Sequence, residues 1–96
     1  MKKGFNQVAV IGAGTMGHGL ALLFALGGSA VRLVDVSRER LDRAMELIRS
    51  HLGGLKLHLG YDIEMEKVLN LITPEPELGD GISESDFIVE AIVEWE

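Results

Sequence analysis

Six residues near the start of the chain, Gly12-Ala13-Gly14-Thr15-Met16-Gly17, place glycine in the order G-x-G-x-x-G. Each glycine answers a separate demand made by a strand that turns into a helix beneath a bound diphosphate. Gly12 permits the tight turn, Gly14 has no side chain to hold a pyrophosphate off the backbone, and Gly17 lets the helix pack closely on the strand. The amide N–H groups of the helix's first turn, at the positive end of its dipole, then meet the anion. Asp35 follows Gly17 by 18 positions, close to the spacing of about 20 expected of a ribose-binding acid. Its carboxylate would accept hydrogen bonds from both hydroxyls of an adenosine ribose and repel a 2′-phosphate, which favours NAD over NADP. Arg38, just past this acid, is the residue that could pair with such a phosphate, and the periodicity puts it on an exposed helix face.

For that chemistry, the glycine turn must leave a strand and open a helix. Gln7-Val8-Ala9-Val10-Ile11 is a short, nearly unbroken apolar run of the kind that suits a strand covered on both faces. Residues 15–26 are good helix formers, apolar on most of their surface and expected to be buried, and Gly27-Gly28 ends them. Ala30-Val31-Arg32-Leu33-Val34 reads as a second strand that closes on Asp35. Ser37 is placed to cap a second helix, along which Leu41, Ala44 or Met45, Ile48 and Leu52 form one apolar stripe. Gly53-Gly54 is expected to interrupt or end that helix, with residues 55–59 irregular, a turn at Gly60-Tyr61 and a short helix over 62–69. Ile72-Thr73 before Pro74 suggests a brief extended segment, since the residue before proline avoids the helical region. Residues 74–85 read as an acidic loop and 87–93 as a final strand. Strands separated by helical crossovers argue for an α/β fold: a Rossmann-type parallel sheet, the first half of about four strands, with helices on both faces.

Composition bounds the rest. Ninety-six residues, 47% of them apolar, make one domain, and the absence of cysteine excludes disulfide frameworks and thiolate metal cages. The longest apolar run, residues 20–26, is far short of the ~18 residues a membrane span needs. No secretory leader is recognisable, so the expected compartment is the cytoplasm. The net charge of −6 is uneven: residues 1–58 carry eight Lys or Arg against four acids, whereas residues 59–96 carry only Lys67 against eleven. A uniformly basic nucleic-acid surface is excluded, and the mildly positive half is the one suited to an anionic ligand.

Read together with the end of the chain, these residues resemble the NAD-binding domain of the 3-hydroxyacyl-CoA dehydrogenase family, 3-hydroxybutyryl-CoA dehydrogenases in particular. The likeness rests on Val8-Ala9-Val10-Ile11-Gly12-Ala13-Gly14-Thr15-Met16-Gly17-His18-Gly19, on Val34-Asp35, and on Asp86-Phe87-Ile88-Val89-Glu90-Ala91-Ile92-Val93-Glu94. The last stretch is the more telling, because a strand ending in Glu-Ala-x-x-Glu is less generic than a glycine loop. The resemblance implies an oxidoreductase that oxidises an L-3-hydroxyacyl-CoA to the 3-ketoacyl-CoA by hydride transfer to NAD, as in β-oxidation of fatty acids. It also implies that Ala91, Ile92, Val93 and Glu94 neighbour the nicotinamide ribose, beside Gly12, Gly14, Thr15, Met16, Gly17 and Asp35 at the rest of the cofactor. The likeness covers nearly the whole chain but only about the first third of a family member. It therefore implies a truncated unit, residues 1–96, without the catalytic histidine, glutamate, serine and asparagine or the helical domain through which the family dimerises. An acyl-CoA substrate and a homodimer belong to the full-length protein, and no catalytic residue is expected here. In the family a helical hairpin after the second strand uses serine and lysine residues to hold coenzyme A. The corresponding stretch here, 51–60, departs from that pattern, with Gly53-Gly54, His51 and His58, and Lys56 its one firm cation.

The remaining candidates have ordinary readings. His18 falls in the first turn of the glycine-loop helix, where an accommodated side chain is the ordinary reading. His51 and His58 share a helix face, but no third ligand accompanies them and no metal site is expected. Glu90 and Glu94 face the same side of the last strand, and Glu94, at its C-terminal end, is the better placed for function. Two alternatives share the loop and the acid: a non-catalytic dinucleotide-sensing regulatory module, and a related hydroxy-acid dehydrogenase.

Overall fold

A run as apolar as Val8-Ala9-Val10 is stable only when both sides of the strand are covered, and all three residues are 0% exposed. In the computed structural model, which describes residues 7–60, 64–77, 79 and 85–91, this run is β1 (Gln7–Ile11), one of two inner strands of a four-stranded sheet. The other elements are α1 (Thr15–Leu26), β2 (Ala30–Val34), α2 (Arg38–Leu59), α3 (Met65–Leu69), β3 (Ile72–Glu75) and β4 (Phe87–Glu90). The strand order is β3-β2-β1-β4 and every pairing is parallel, with Val8 opposite both Val31 and Phe87. This is the expected Rossmann-type α/β sheet. The described helices meet one another, and Ala21, Leu22 and Ala25 of α1 join Leu41, Ala44, Ile48 and Leu52 of α2 over Val8, Val10, Val31 and Leu33.

The first three elements and the Ser37 cap follow the sequence reading. The Ser37 hydroxyl accepts from the Arg40 N–H at 3.2 Å. Helix α2, by contrast, does not stop at Gly53-Gly54 but continues to Leu59 and ends where Gly60 turns left-handed. Two internal glycines oppose a helix by about 1 kcal/mol each relative to alanine. The stripe from Leu41 to Leu52 is wholly buried up to the doublet, and such packing outweighs propensity. In that stripe Ala44 is fully buried and Met45 half-buried. Helix α1 is less buried than its composition suggests: Leu23 is 65% and Met16 54% exposed, and the buried face is carried by small residues and Leu22.

Strand β3 runs through Pro74 to Glu75, longer than the Ile72-Thr73 segment expected. Proline is tolerated because β3 is an outer strand, where a missing N–H need not break a ladder. Strand β4 ends at Glu90, and Ala91 continues its ladder through an N–H donated to the Ile11 carbonyl at 2.8 Å. The expected extension over Ile92 and Val93, and the start of the short helix at Asp62, lie outside the described residues. Among the described residues, no helix is long and apolar enough to cross a membrane.

Candidate dinucleotide site

The C-terminal ends of parallel strands are where an open α/β sheet builds its sites, and here β1, β2 and β4 all end beside one helix mouth. The chain leaves β1 at Ile11 and turns at Gly12, whose φ of 104° is a conformation L side chains rarely adopt. The Gly12 N–H donates to the Val34 carbonyl at 2.7 Å, which ties the turn to the end of β2. Gly14 is the N-cap of α1 and supplies no side-chain cap, and the first turn of the helix carries no acid. A Cβ built at Gly14 would meet nothing within 4 Å. Among the described residues nothing would touch a side chain at Gly14, and the carboxylate that approaches the helix mouth, that of Asp35, is engaged by the Ala13 N–H. The demand at Gly17 is the opposite: its Cβ would stand 1.6 Å from the Gly12 carbonyl oxygen, so helix and turn approach as no side chain would allow. The same Cβ would lie 3.7 Å from Cβ of Ala91, which brings the end of β4 against the loop.

Asp35 sits directly after β2 and is only 8% exposed. One carboxylate oxygen accepts from the Ala13 N–H at 3.0 Å within the glycine loop, and the other from the Ser37 N–H at 2.8 Å at the start of α2. The Arg40 guanidinium lies 3.8 Å from that second oxygen, with its own side chain 67% exposed. A carboxylate has about four lone-pair sites, so two accepted bonds leave capacity for two further donors such as a pair of vicinal hydroxyls. Arg38, weighed in the sequence as the cation beside this acid, is exposed. The guanidinium that approaches Asp35 is that of Arg40, two residues further along the first turn of α2. Position along the chain alone could not separate the two.

The structure thus brings together Gly12, Gly14, Thr15, Met16, Gly17, Asp35 and Ala91. Thr15 and Met16 are exposed at the helix mouth, whereas Gly17 and Ala91 are buried beneath it. Ile92, Val93 and Glu94 lie outside the described residues. Two partners were invisible in the sequence: the Ala13 amide, which carries no side-chain signal, and His51, which meets His18 rather than His58. The Nε2 atoms of His18 and His51 are 3.3 Å apart. No group of three or more His, Cys, Asp or Glu that could hold a metal occurs among the described residues.

Comparison with known proteins places this geometry in a family. The family model described as "3-hydroxyacyl-CoA dehydrogenase, NAD binding domain" matches residues 7–96. A probable 3-hydroxyacyl-CoA dehydrogenase of Caenorhabditis elegans is 34% identical over 94 residues, which is 93% of this chain and 32% of that protein. The alpha subunit of a fatty acid oxidation complex from Pseudomonas syringae pv. syringae is 35% identical, over 96% of this chain and 13% of its own length. Among solved structures, a 3-hydroxybutyryl-CoA dehydrogenase from Escherichia coli K12 superposes with a TM-score of 0.86 at 33% identity, covering 97% of this chain and 20% of that one. The chain thus spans about a third or less of each relative. It belongs to the NAD-binding domain family of the 3-hydroxyacyl-CoA dehydrogenases, and its cofactor is NAD.

Proposed function

We propose that this chain is the cofactor-holding part of an oxidoreductase acting on L-3-hydroxyacyl-CoA, such as 3-hydroxybutyryl-CoA. NAD, when bound, would accept the hydride from the hydroxyl-bearing carbon as the hydroxyl proton passes to a base, leaving the 3-ketoacyl-CoA. The chain's own residues bind and orient. The amides at the mouth of α1 receive the diphosphate over Gly14, and the spare lone pairs of Asp35 receive the adenosine ribose. Ala91, Ile92, Val93 and Glu94 border the nicotinamide ribose. The single observation that carries the reading is the Asp35–Ala13 bond: it fixes a ribose-accepting carboxylate to the same loop that leaves Gly14 open. In a longer protein containing this chain, acyl-CoA is the substrate, a homodimer the assembly and the cytoplasm the compartment. None of the chain's residues is assigned as the general base.

Titration of NAD and NADP into the full chain and into Asp35→Asn tests this. The wild type binds NAD in preference to NADP. The neutral side chain weakens NAD about tenfold or more, equivalent to roughly 1.4 kcal/mol for a lost charge-assisted bond, and narrows the preference. Equal NAD affinity in the two proteins, or a wild-type preference for NADP, overturns the assignment.

A further inference from the structure

We infer that His18 and His51 form a two-histidine site for a divalent first-row transition ion, joining the first turn of α1 to the middle of α2. His18 is 7% exposed, and its Nδ1 lies 3.0 Å from the Gly14 carbonyl oxygen. A carbonyl only accepts, so Nδ1 carries the proton, and in the neutral ring Nε2 is left as an unshared pair. That is how metal-binding histidines are commonly held: one ring nitrogen anchored on a backbone carbonyl, the other free to ligate. The Nε2 of His51 stands 3.3 Å from the Nε2 of His18, and the rings are only 12° from parallel. The ring centroids are 5.3 Å apart, farther than the nitrogens, so both nitrogens turn into the gap between the rings. The separation of 3.3 Å admits an N–H···N hydrogen bond between the two rings when no ion is bound. It matches the edge of a coordination tetrahedron: two nitrogens each about 2.0–2.1 Å from one Zn2+ stand about 3.3–3.4 Å apart.

His51 is exposed, which gives an ion an approach and leaves its remaining positions to water. Imidazole pairs suit Zn2+, Ni2+ and, most tightly, Cu2+. The ion would tie α2 to the residue that already holds the Gly14 carbonyl. The site is therefore a staple on the glycine loop, and it stands independently of the hydride-transfer reading. His58 lies seven residues further along α2, with its ring beside Gly54, and takes no part.

The test titrates zinc chloride and copper chloride, in a non-chelating buffer, into the full chain and its His51→Ala and His58→Ala variants. Both substitutions fall on exposed positions of α2. Wild type and His58→Ala bind one equivalent of Zn2+ and melt at higher temperature with it, while His51→Ala binds at least tenfold more weakly and its melting is unmoved. The electron paramagnetic resonance of the Cu2+ form shows coupling to two imidazole nitrogens in the wild type and fewer in His51→Ala. Equal binding by wild type and His51→Ala overturns the inference, as does an equal loss in His58→Ala, which would move the ion to the surface of α2.

Discussion

The same substitution at two glycines of one loop should have opposite consequences, because one glycine makes room for the cofactor and the other for the protein. At Gly17 an added Cβ would lie 1.6 Å from the Gly12 carbonyl oxygen and 2.7 Å from its carbon. The obstacle is backbone at a turn held by the Gly12–Val34 hydrogen bond, not the end of a flexible side chain. Inserting a methyl group into a well-packed site costs about 1–3 kcal/mol, and a backbone overlap belongs at or above the top of that range. At about 4–8 °C per kcal/mol for a domain of this size, Gly17→Ala should melt at least ~12 °C below the wild type. At Gly14 the added Cβ meets nothing within 4 Å, and the backbone is extended. Alanine is a poorer N-cap than glycine by roughly 0.5–1 kcal/mol. The reduced entropy of the unfolded chain returns about 0.4–1 kcal/mol, so Gly14→Ala should change stability by less than ~1 kcal/mol. Its methyl group, however, occupies the opening where the diphosphate must approach the amides, and NAD affinity should fall at least tenfold, about 1.4 kcal/mol. Thermal melting and NAD calorimetry on both variants give four numbers. Gly14→Ala binding NAD like the wild type, or Gly17→Ala melting with the wild type, would refute the division of labour.

Other perturbations follow from the same contacts. Asp35→Ala leaves the Ala13 and Ser37 amides without their acceptor, and an unsatisfied buried donor costs about 1–3 kcal/mol, so its melting temperature should drop before any cofactor is added. Arg40→Ala should shift stability by less than about 0.5 kcal/mol in denaturant unfolding, because its approach to Asp35 is made by a largely exposed side chain. Ser37→Ala removes the α2 cap and should cost about 1 kcal/mol in the same assay, without moving the NAD dissociation constant more than threefold. Ile48→Ala, at a position 0% exposed, should cost about 2–5 kcal/mol, and a smaller loss would mean that α2 seats less firmly than its burial indicates.

What the sequence made legible divides by the range of the interaction that decides each feature. The bounds of β1, α1 and β2 rest on glycine, capping and unbroken apolar runs, all local, and they agree with the structure to the residue. The course of α2 past Gly53-Gly54 depends on how firmly Leu41, Ala44, Ile48 and Leu52 are held beneath other elements, and no local pattern states that. Strand β3 could pass through Pro74 only because β3 proved to be an outer strand, a matter of topology.

The site divides in the same way. Its glycines and its acid were readable from spacing, whereas the bond between them was not, because the Ala13 partner is a backbone amide and any residue type supplies one. The meeting of His18 with His51 joins positions 33 residues apart that share no period. The hidden bond changes the meaning of the readable residue. Asp35 is legible as the group that chooses a ribose, yet it also fixes the loop that receives the diphosphate and the first turn of α2. Sugar selectivity and loop geometry therefore pass through one carboxylate. A substitution that removes both acceptor oxygens disturbs both at once, whereas Asp35→Asn keeps the shape and one acceptor and sets an NH2 against only one of the two amides, so its melting temperature read beside its NAD affinity weighs the ribose contribution against the loop's.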